Sequence, residues 1–391
     1  MVIGIDGSEA FVKNKTGVEN YAFQILKNLS KIDQKNGYLI YLDPRSNQVE
    51  GEWPANFKFK FLSWPIMWTQ LGLAFQTYTD RLDLLSIPGH TLPILKNPFL
   101  KSVVTIHDLG AEYLGSMHQL KQRLYLGLMT KLQIRFATKI IAVSEATKKD
   151  LVNKVGIKPS KIEVIYEALI PIKKEKSDVK VNILIENDLA KGNYFLFVGT
   201  IQPRKNLVRV IKSFTTLCHP ESSEGYKNSI ELYPSASPQD VMFDNLKLVL
   251  VGKKGWLSDE IYELPKKLGI EDKVFFLGRL PDSDVQILYQ NALALVYPSL
   301  YEGFGLPILE AFANDLPVIT SNSSSMPEVA GQAAILVDPN SIVEIGQAMY
   351  RLSQDKKLRE QLVKKGREQL KKFSWNKAAT QTLELFQEVA G

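Results

Sequence analysis

The chain has 391 residues, 45% apolar and 23% charged, a soluble globular balance that excludes fibrous and disordered classes and exceeds what one hydrophobic core ordinarily supports. Two domains are therefore expected, with a cleft between them as the default place for a site. The net charge of +6 suits an anionic ligand, an anionic membrane or nucleic acid, while the single Cys218 excludes an internal disulfide and a thiolate metal cluster.

The amino terminus, MVIGIDGSEAF, lacks a basic segment followed by an apolar one, and no run reaches membrane-spanning length, so residence in the cytoplasm is expected. Short β-branched and aromatic runs then alternate with helical patterns. IGID (3–6) precedes a helix with Val18, Ala22, Ile25, Leu26 and Leu29 on one face, and YLIYL (38–42), VVTI (103–106), IIAV (140–143) and EVI (163–165) follow. The charged stretch PIKKEKSDVK (171–180) reads as a linker. A second series runs through YFLFV (194–198), KLVLV (247–251), VFFL (274–277), LALVY (293–297), PVIT (317–320) and AAILV (333–337). Residues 218–245, rich in Pro, Ser, Gly and Glu without a sustained period, read as an insertion with mobile backbone. The tail from Asp355 is helical, and Ser374 is placed to cap a last helix starting at Trp375. Repeated βα units of this kind predict an α/β protein of two doubly wound, Rossmann-like domains, 1–170 and 171–374, with a helix at 375–391 returning to the first.

Two loops concentrate the chemistry. Tyr297-Pro-Ser-Leu-Tyr-Glu-Gly-Phe-Gly-Leu-Pro-Ile-Leu-Glu310 leaves the strand LALVY and enters a helix. Gly303 and Gly305 let backbone amides approach a ligand, Pro307 suits a first helical position, and Glu302 and Glu310 bracket the turn without sharing one helical face. A tight turn with solvated glutamates is the plainer alternative. Gly199-Thr-Ile-Gln-Pro-Arg204-Lys205-Asn206 likewise joins a strand end to a helix start, where adjacent cations oppose the helix dipole unless an anion sits there. Both loops leave the carboxyl ends of predicted parallel strands, where open α/β sheets bind ligands.

Glu302 to Glu310 resembles the E-x7-E motif of glycosyltransferase family 4, whose members have the GT-B fold of two facing Rossmann-like domains with an inter-domain cleft. GTIQPRKN resembles that family's phosphate loop, SSSMPEVAGQAAILVDP (323–339) the block after E-x7-E in its mannosyl- and rhamnosyltransferase-like branches, and TIHDL (105–109) and AVSEATKKDL (142–151) its first-domain blocks. The resemblance covers nearly the whole chain apart from 218–245. It implies a retaining transfer of a hexose, with mannose the favoured sugar, from a GDP- or UDP-sugar to a glycan or lipid-linked acceptor, without a metal. It further implies that Arg204 and Lys205 clamp the diphosphate and that Glu310 meets the ribose. Glu302 with the amides of Gly303, Phe304 and Gly305 holds the sugar, next to Leu306, and Gly199 and Gly17 lie at the diphosphate. His107 contacts the sugar or positions the acceptor, and Phe276, Leu277, Gly278 and Arg279 lie near the nucleobase. Where many relatives have Asn-Gly after the last strand of the first domain, this chain has Tyr166-Glu167-Ala168, without the turn permissive for positive φ.

Asp282-Ser283-Asp284 matches a metal-binding DxD pattern but opens a predicted helix, where acids serve as N-cap and dipole partners. The segment 120–139 carries Lys121, Arg123, Lys131, Arg135 and Lys139 with no acid among them, which fits either a solvated basic face of a core helix or contact with an anionic membrane. No recognised nucleic-acid module accompanies the charge. A sugar-nucleotide-binding protein or a phosphorylase on the same architecture is the second functional class, separated from a transferase by turnover of a nucleotide sugar.

Overall fold

The computed structural model describes residues 1–13, 15, 17–44, 46, 49, 51–64, 67–89, 92–109, 131, 133–170, 182–218 and 245–391. The expected linker, all but the two ends of the expected insertion, His90, and most of the basic segment 120–139 lie outside these residues. The chain divides into two compact units, Met1–Ile170 with Phe373–Gly391, and Pro171–Lys372.

In the first unit seven parallel strands form one sheet: β1 (Val2–Asp6), β2 (Gly37–Leu42), β3 (Phe57–Phe61), β4 (Leu84–Ile87), β5 (Lys101–Ile106), β6 (Lys139–Ala142) and β7 (Ile162–Val164), in the order β3-β2-β1-β4-β5-β6-β7. Two of these, β3 and β4, are additions to the strands predicted from sequence. β3 is an edge strand whose FKFKF alternates Phe with Lys, Phe57 buried and Phe61 exposed, and β4 is only four residues long. The helix Gly17–Ile32 buries Tyr21, Ala22, Ile25, Leu26 and Leu29. Against it packs the final helix, Trp375–Ala390. Ser374 occupies its N-cap position, but the hydroxyl makes no cap bond. The expected second domain ends at 374, whereas Phe373 and Ser374 group with the first unit: the Phe373 ring lies 5.6 Å from that of Tyr166, and Trp375 Nε1 donates to the Leu169 carbonyl at 2.9 Å.

The second unit holds six parallel strands: β8 (Tyr194–Val198), β9 (Lys247–Val251), β10 (Val274–Gly278), β11 (Ala294–Tyr297), β12 (Val318–Ser321) and β13 (Ala334–Val337), in the order β10-β9-β8-β11-β12-β13. Covered on both faces, β8, β9 and β11 read as nearly continuous apolar runs rather than alternating ones. Chain direction across the sheet reverses between β8 and β11. The loops leaving these two strands therefore open at a topological switch point, where doubly wound sheets leave a crevice.

At the end of β1, Asp6 Oδ1 accepts hydrogen bonds from the amide and hydroxyl of Ser8 at 3.0 and 2.6 Å. Burial nevertheless pushes its carboxyl up to about 6, against the Ser8 bonds and with help from Glu9 and Asp43. A carboxyl whose pKa is raised on folding binds protons more tightly in the native state, so stability falls as pH rises toward about 6 and stays low above it. Asp6→Asn is expected to raise the melting temperature clearly at pH 8 and progressively less toward pH 4. An unchanged difference across that range in a calorimetric series would refute the burial account.

Candidate functional site

Arg204 and Lys205 occupy a 3₁₀ turn, Pro203–Lys205, after β8. They do not form the first turn of the following helix, Leu207–Cys218, as the sequence pattern suggests, because Asn206 intervenes in a left-handed conformation with φ 65°. The Asn206 amide nitrogen holds this break by donating to the carbonyls of Pro298 and Pro339 at 3.0 and 2.6 Å. The protein's own Glu302 pairs with both cations and offsets one of their two charges. Lys205 Nζ lies 2.6 Å from Glu302 Oε1, and Arg204 Nη1 lies 2.9 Å from Oε2 and 2.8 Å from the Tyr301 carbonyl. Lys205 also donates to the Tyr297 hydroxyl at 2.6 Å.

Burial alone would push the Glu302 carboxyl up, but the Lys205 and Arg204 charges outweigh it and hold the group below its ordinary range. Glu302 is only 7% exposed, so it is a buried carboxylate and not a solvated one. Its backbone is secured by serines of the loop after β12: Ser324 Oγ accepts from the Glu302 amide at 3.2 Å, and Ser325 Oγ lies 3.0 and 2.8 Å from the carbonyls of Glu302 and Phe304. Gly305, at φ 105° and ψ 47°, is the N-cap of the helix Leu306–Ala313, a backbone state that L side chains avoid. Gly303, Phe304 and Gly305 are buried, Leu306 is half-buried, and Pro307 falls in the first turn.

Glu310 lies in that helix, one turn in, and is partly buried. Its Oε2 accepts a 2.6 Å hydrogen bond from the Tyr289 hydroxyl on the helix Asp282–Asn291. Burial raises its carboxyl above the ordinary range, the Tyr289 bond pulls the other way, and the Asp282 charge adds to the rise. The two glutamates thus face opposite environments. Asp282 and Asp284 sit in the first turn of Asp282–Asn291, but the N-cap is Pro281 and no side chain caps it, so they act as dipole partners only. Among the described residues no group of three His, Cys, Asp or Glu side chains is arranged to hold a metal.

Gly199 and Gly252 end β8 and β9 and pass so closely that a Cβ on Gly252 would lie 1.9 Å from the Gly199 carbonyl oxygen. Gly252 N donates to the Gly278 carbonyl at 2.8 Å, which ties the carboxyl end of β10 to the same edge of the sheet. Phe276, Leu277 and Gly278 are half-buried on β10 and Arg279 is exposed, with the Phe276 ring stacked on Tyr262 at 4.4 Å.

In the first unit, Gly17 is exposed at the start of its helix, and a Cβ there would meet nothing within 4 Å, so packing does not require glycine. His107 follows β5 and is buried. Its Nδ1 lies 2.7 Å from Glu167 Oε1 and its Nε2 2.9 Å from the Pro88 carbonyl, with the Tyr21 ring edge-on at 4.7 Å. Burial disfavours the imidazolium, yet the Glu167 hydrogen bond and charge prevail and raise the pKa. The Pro88 carbonyl can only accept, so Nε2 carries a proton, and Nδ1 faces the Glu167 carboxyl. Glu167 is one of the residues replacing the usual Asn-Gly, so this departure supplies the histidine's counter-ion. Sequence reasoning missed Glu167, Tyr289, Tyr297, Ser324 and Ser325 as site residues, and the Tyr166-Glu167-Ala168 anomaly was the one available signal for the first.

Residues 182–369 match the family described as glycosyl transferases group 1, and residues 16–169 match glycosyltransferase family 4. The O-antigen chain mannosyltransferase B of Escherichia coli is 29% identical over 287 residues, covering 73% of this chain and 70% of that protein. The O-antigen chain mannosyltransferase RfbU of Salmonella typhimurium is 26% identical over 343 residues, 84% of each. A sucrose-phosphate synthase from Thermosynechococcus elongatus superposes with a TM-score of 0.72 at 19% identity over 99% of this chain and 98% of that one. Anabaena HepE in complex with UDP-glucose superposes with a TM-score of 0.70 at 16% identity over 99% of each. The fold is that of GT-B proteins.

Glu167→Gln keeps the shape of the His107 partner and removes its charge. Titrating the His107 ring by NMR should show a pKa lower than in the wild-type protein, because the counter-ion that offsets burial is gone. An unchanged midpoint would show that Glu167 is not what keeps the imidazolium charged.

Proposed function

We propose that this chain, which belongs to glycosyltransferase family 4, moves a hexose, mannose by similarity to its relatives, from a nucleoside-diphosphate sugar to a glycan or lipid-linked acceptor with retention at the anomeric carbon. The chain is a glycosyltransferase. The observation that carries the donor reading is the buried Arg204–Glu302–Lys205 cluster at the switch point of the second sheet, where two cations converge on one carboxylate beside a glycine turn. A diphosphate is the ligand that such a pair of cations accepts most readily.

In this reading Arg204 and Lys205 clamp the diphosphate of a GDP- or UDP-sugar. Glu302 and the amides of Gly303, Phe304 and Gly305 hold the sugar, and Gly17 and Gly199 border the phosphates. With Oε2 held by Tyr289, Glu310 offers Oε1 to the ribose hydroxyls. Phe276 to Arg279 flank the nucleobase. His107, its two nitrogens held by Glu167 and the Pro88 carbonyl, contacts the sugar through its ring or positions the acceptor and does not act as a base. The leaving phosphate itself takes the acceptor's proton. The protein works in the cytoplasm, at an anionic membrane reached partly through the basic residues of 120–139. Among the described residues no helix is long and apolar enough to cross a membrane.

Negative charge grows on the diphosphate as the glycosidic bond breaks, so the two cations interact more strongly with the transition state than with bound donor. Lys205→Ala should lower kcat about a hundredfold or more. Glu310→Gln should instead raise the donor KM about tenfold with kcat nearly unchanged, because the ribose carries no developing charge. A Lys205→Ala enzyme with normal kcat and a raised donor KM would overturn the clamp assignment.

The cations also stand in for the divalent ion that other transferases use, so no metal is required. Turnover should persist in EDTA at its untreated rate. Abolition by EDTA with rescue by manganese would reverse this conclusion.

A further inference from the structure

Among the described residues, eight of the ten large apolar side chains left exposed in the first unit fall between Phe61 and Phe99, with Val2 and Phe136 elsewhere. Met67, Leu71, Phe75, Tyr78, Leu95 and Phe99 are all exposed, Phe99 by 93%, whereas those of the second unit are four scattered residues. Leu71, Phe75 and Tyr78 are spaced four and three apart along a continuous helical run, a π-helical turn Trp68–Leu73 followed by the α-helix Ala74–Thr79, so they line one side of it, and Met67 immediately precedes it in a left-handed conformation. The loop carrying the other two lies alongside: the Tyr78 hydroxyl donates to the Leu95 carbonyl at 3.3 Å, and the Asn97 amide donates to Thr77 Oγ1 at 2.8 Å. The opposite side of the run, Trp68, Leu73 and Ala74, is buried, so the segment is apolar both inward and outward. A soluble surface helix ordinarily turns a polar face outward.

Charge decides what covers this face. No Asp, Glu, Lys or Arg occurs between Phe61 and Thr79. The exposed charges that follow the stripe directly are Arg81, three residues after Tyr78, and Lys101, two after Phe99, with Lys58 also exposed nearby in sequence. Of the acids of this region, Asp80 is paired with Lys60 at 2.7 Å, and Asp83, exposed and accepting from the Val2 amide at 2.7 Å, is outnumbered by the exposed Lys58, Arg81 and Lys101. An apolar, aromatic centre with a cationic rim complements a bilayer interface that carries anionic headgroups. A second copy would bring the same cationic rim and meet like charge.

We propose that this face is a membrane-docking surface. Met67, Leu71, Phe75, Leu95 and Phe99 enter the boundary between headgroups and acyl chains, Tyr78 lies at headgroup level, and Arg81 and Lys101 contact lipid phosphates. The purpose of docking rests on the reading of a lipid-linked acceptor, but the surface is testable without it.

The test uses the full chain without donor or acceptor. It should sediment with vesicles of phosphatidylcholine mixed with phosphatidylglycerol, and binding should fall with rising salt. Phe75→Ser with Phe99→Ser should weaken binding about tenfold per side chain, since each removes one buried aromatic. Arg81→Gln with Lys101→Gln should weaken it and flatten the salt dependence. Thermal shift by a nucleoside diphosphate should be the same in all three proteins, so that loss of docking is distinguished from failure of the donor reading. Wild-type protein that ignores both mixed and neutral vesicles, or serine variants that sediment like wild type, would overturn the proposal. So would a wild-type dimer in light scattering that the serine variants convert to monomer, which would assign the face to a second copy.

Discussion

The second unit is organised around one buried carboxylate shared by two cations. Removing either partner of a buried ion pair leaves an uncompensated charge, at a cost of about 3–5 kcal/mol. The Arg204–Glu302–Lys205 cluster therefore fixes the loop after β8 against the loop after β11. That constraint explains the neighbouring chemistry. Asn206 turns left-handed so that the 3₁₀ turn can present both cations, Tyr297 offers its hydroxyl to the ammonium, and the serines after β12 hold the Glu302 backbone in register. The same cations that a diphosphate would engage are thus kept ordered, and paid for electrostatically, by the protein's own acid.

The first unit solves a similar problem with a different pair. A histidine buried after β5 would ordinarily lose its proton, since burial disfavours the charged ring. Glu167 and the Pro88 carbonyl accept from its two nitrogens, while Tyr21 closes over the ring and is itself covered by Trp375 of the final helix at 5.8 Å. The final helix thereby has a task beyond packing, because it completes the shell around a charged group. Since both nitrogens are engaged inside the unit, the ring is poorly placed to exchange a proton with a ligand.

Much of this was legible in the sequence, for identifiable reasons. The strands of the second sheet were readable because β8, β9 and β11, buried on both faces, are unbroken apolar runs, and the edge strands β10 and β13 are still short runs of β-branched and aromatic or aliphatic residues. β3 escaped because an edge strand alternates Lys with Phe, and β4 because Leu-Leu-Ser-Ile has a single β-branched residue and no aromatic. The two loops could be read because glycines and charged residues follow strand ends at short spacing. The pairing inside them could not: Lys205 and Glu302 are 97 residues apart, and His107 and Glu167 are 60 apart. Nothing local marks such partners. Treating Arg204 and Lys205 as the first turn of a helix missed the left-handed Asn206 that removes them from it, and missed Glu302, whose single charge offsets only one of the two cations.

Glu302 and Glu310 show why a spacing motif underdetermines chemistry. Both are glutamates eight residues apart, and both lose solvent on folding, so burial pushes both carboxyls in the same direction. What separates them is the partner. Two full positive charges overcome the burial of Glu302 and hold it ionised, which makes it a fixed negative charge. A tyrosine supplies Glu310 with a hydrogen bond but no charge, and burial prevails there. The Tyr289 phenol stays protonated because burial first, and the Glu310 charge second, push its pKa well above the ordinary value, so it remains a donor. Glu310 is accordingly a group with one oxygen fixed and one available, suited to recognising neutral hydroxyls, while Glu302 is suited to organising cations. The division of labour between the two ends of the motif follows from what lies opposite each carboxylate in space.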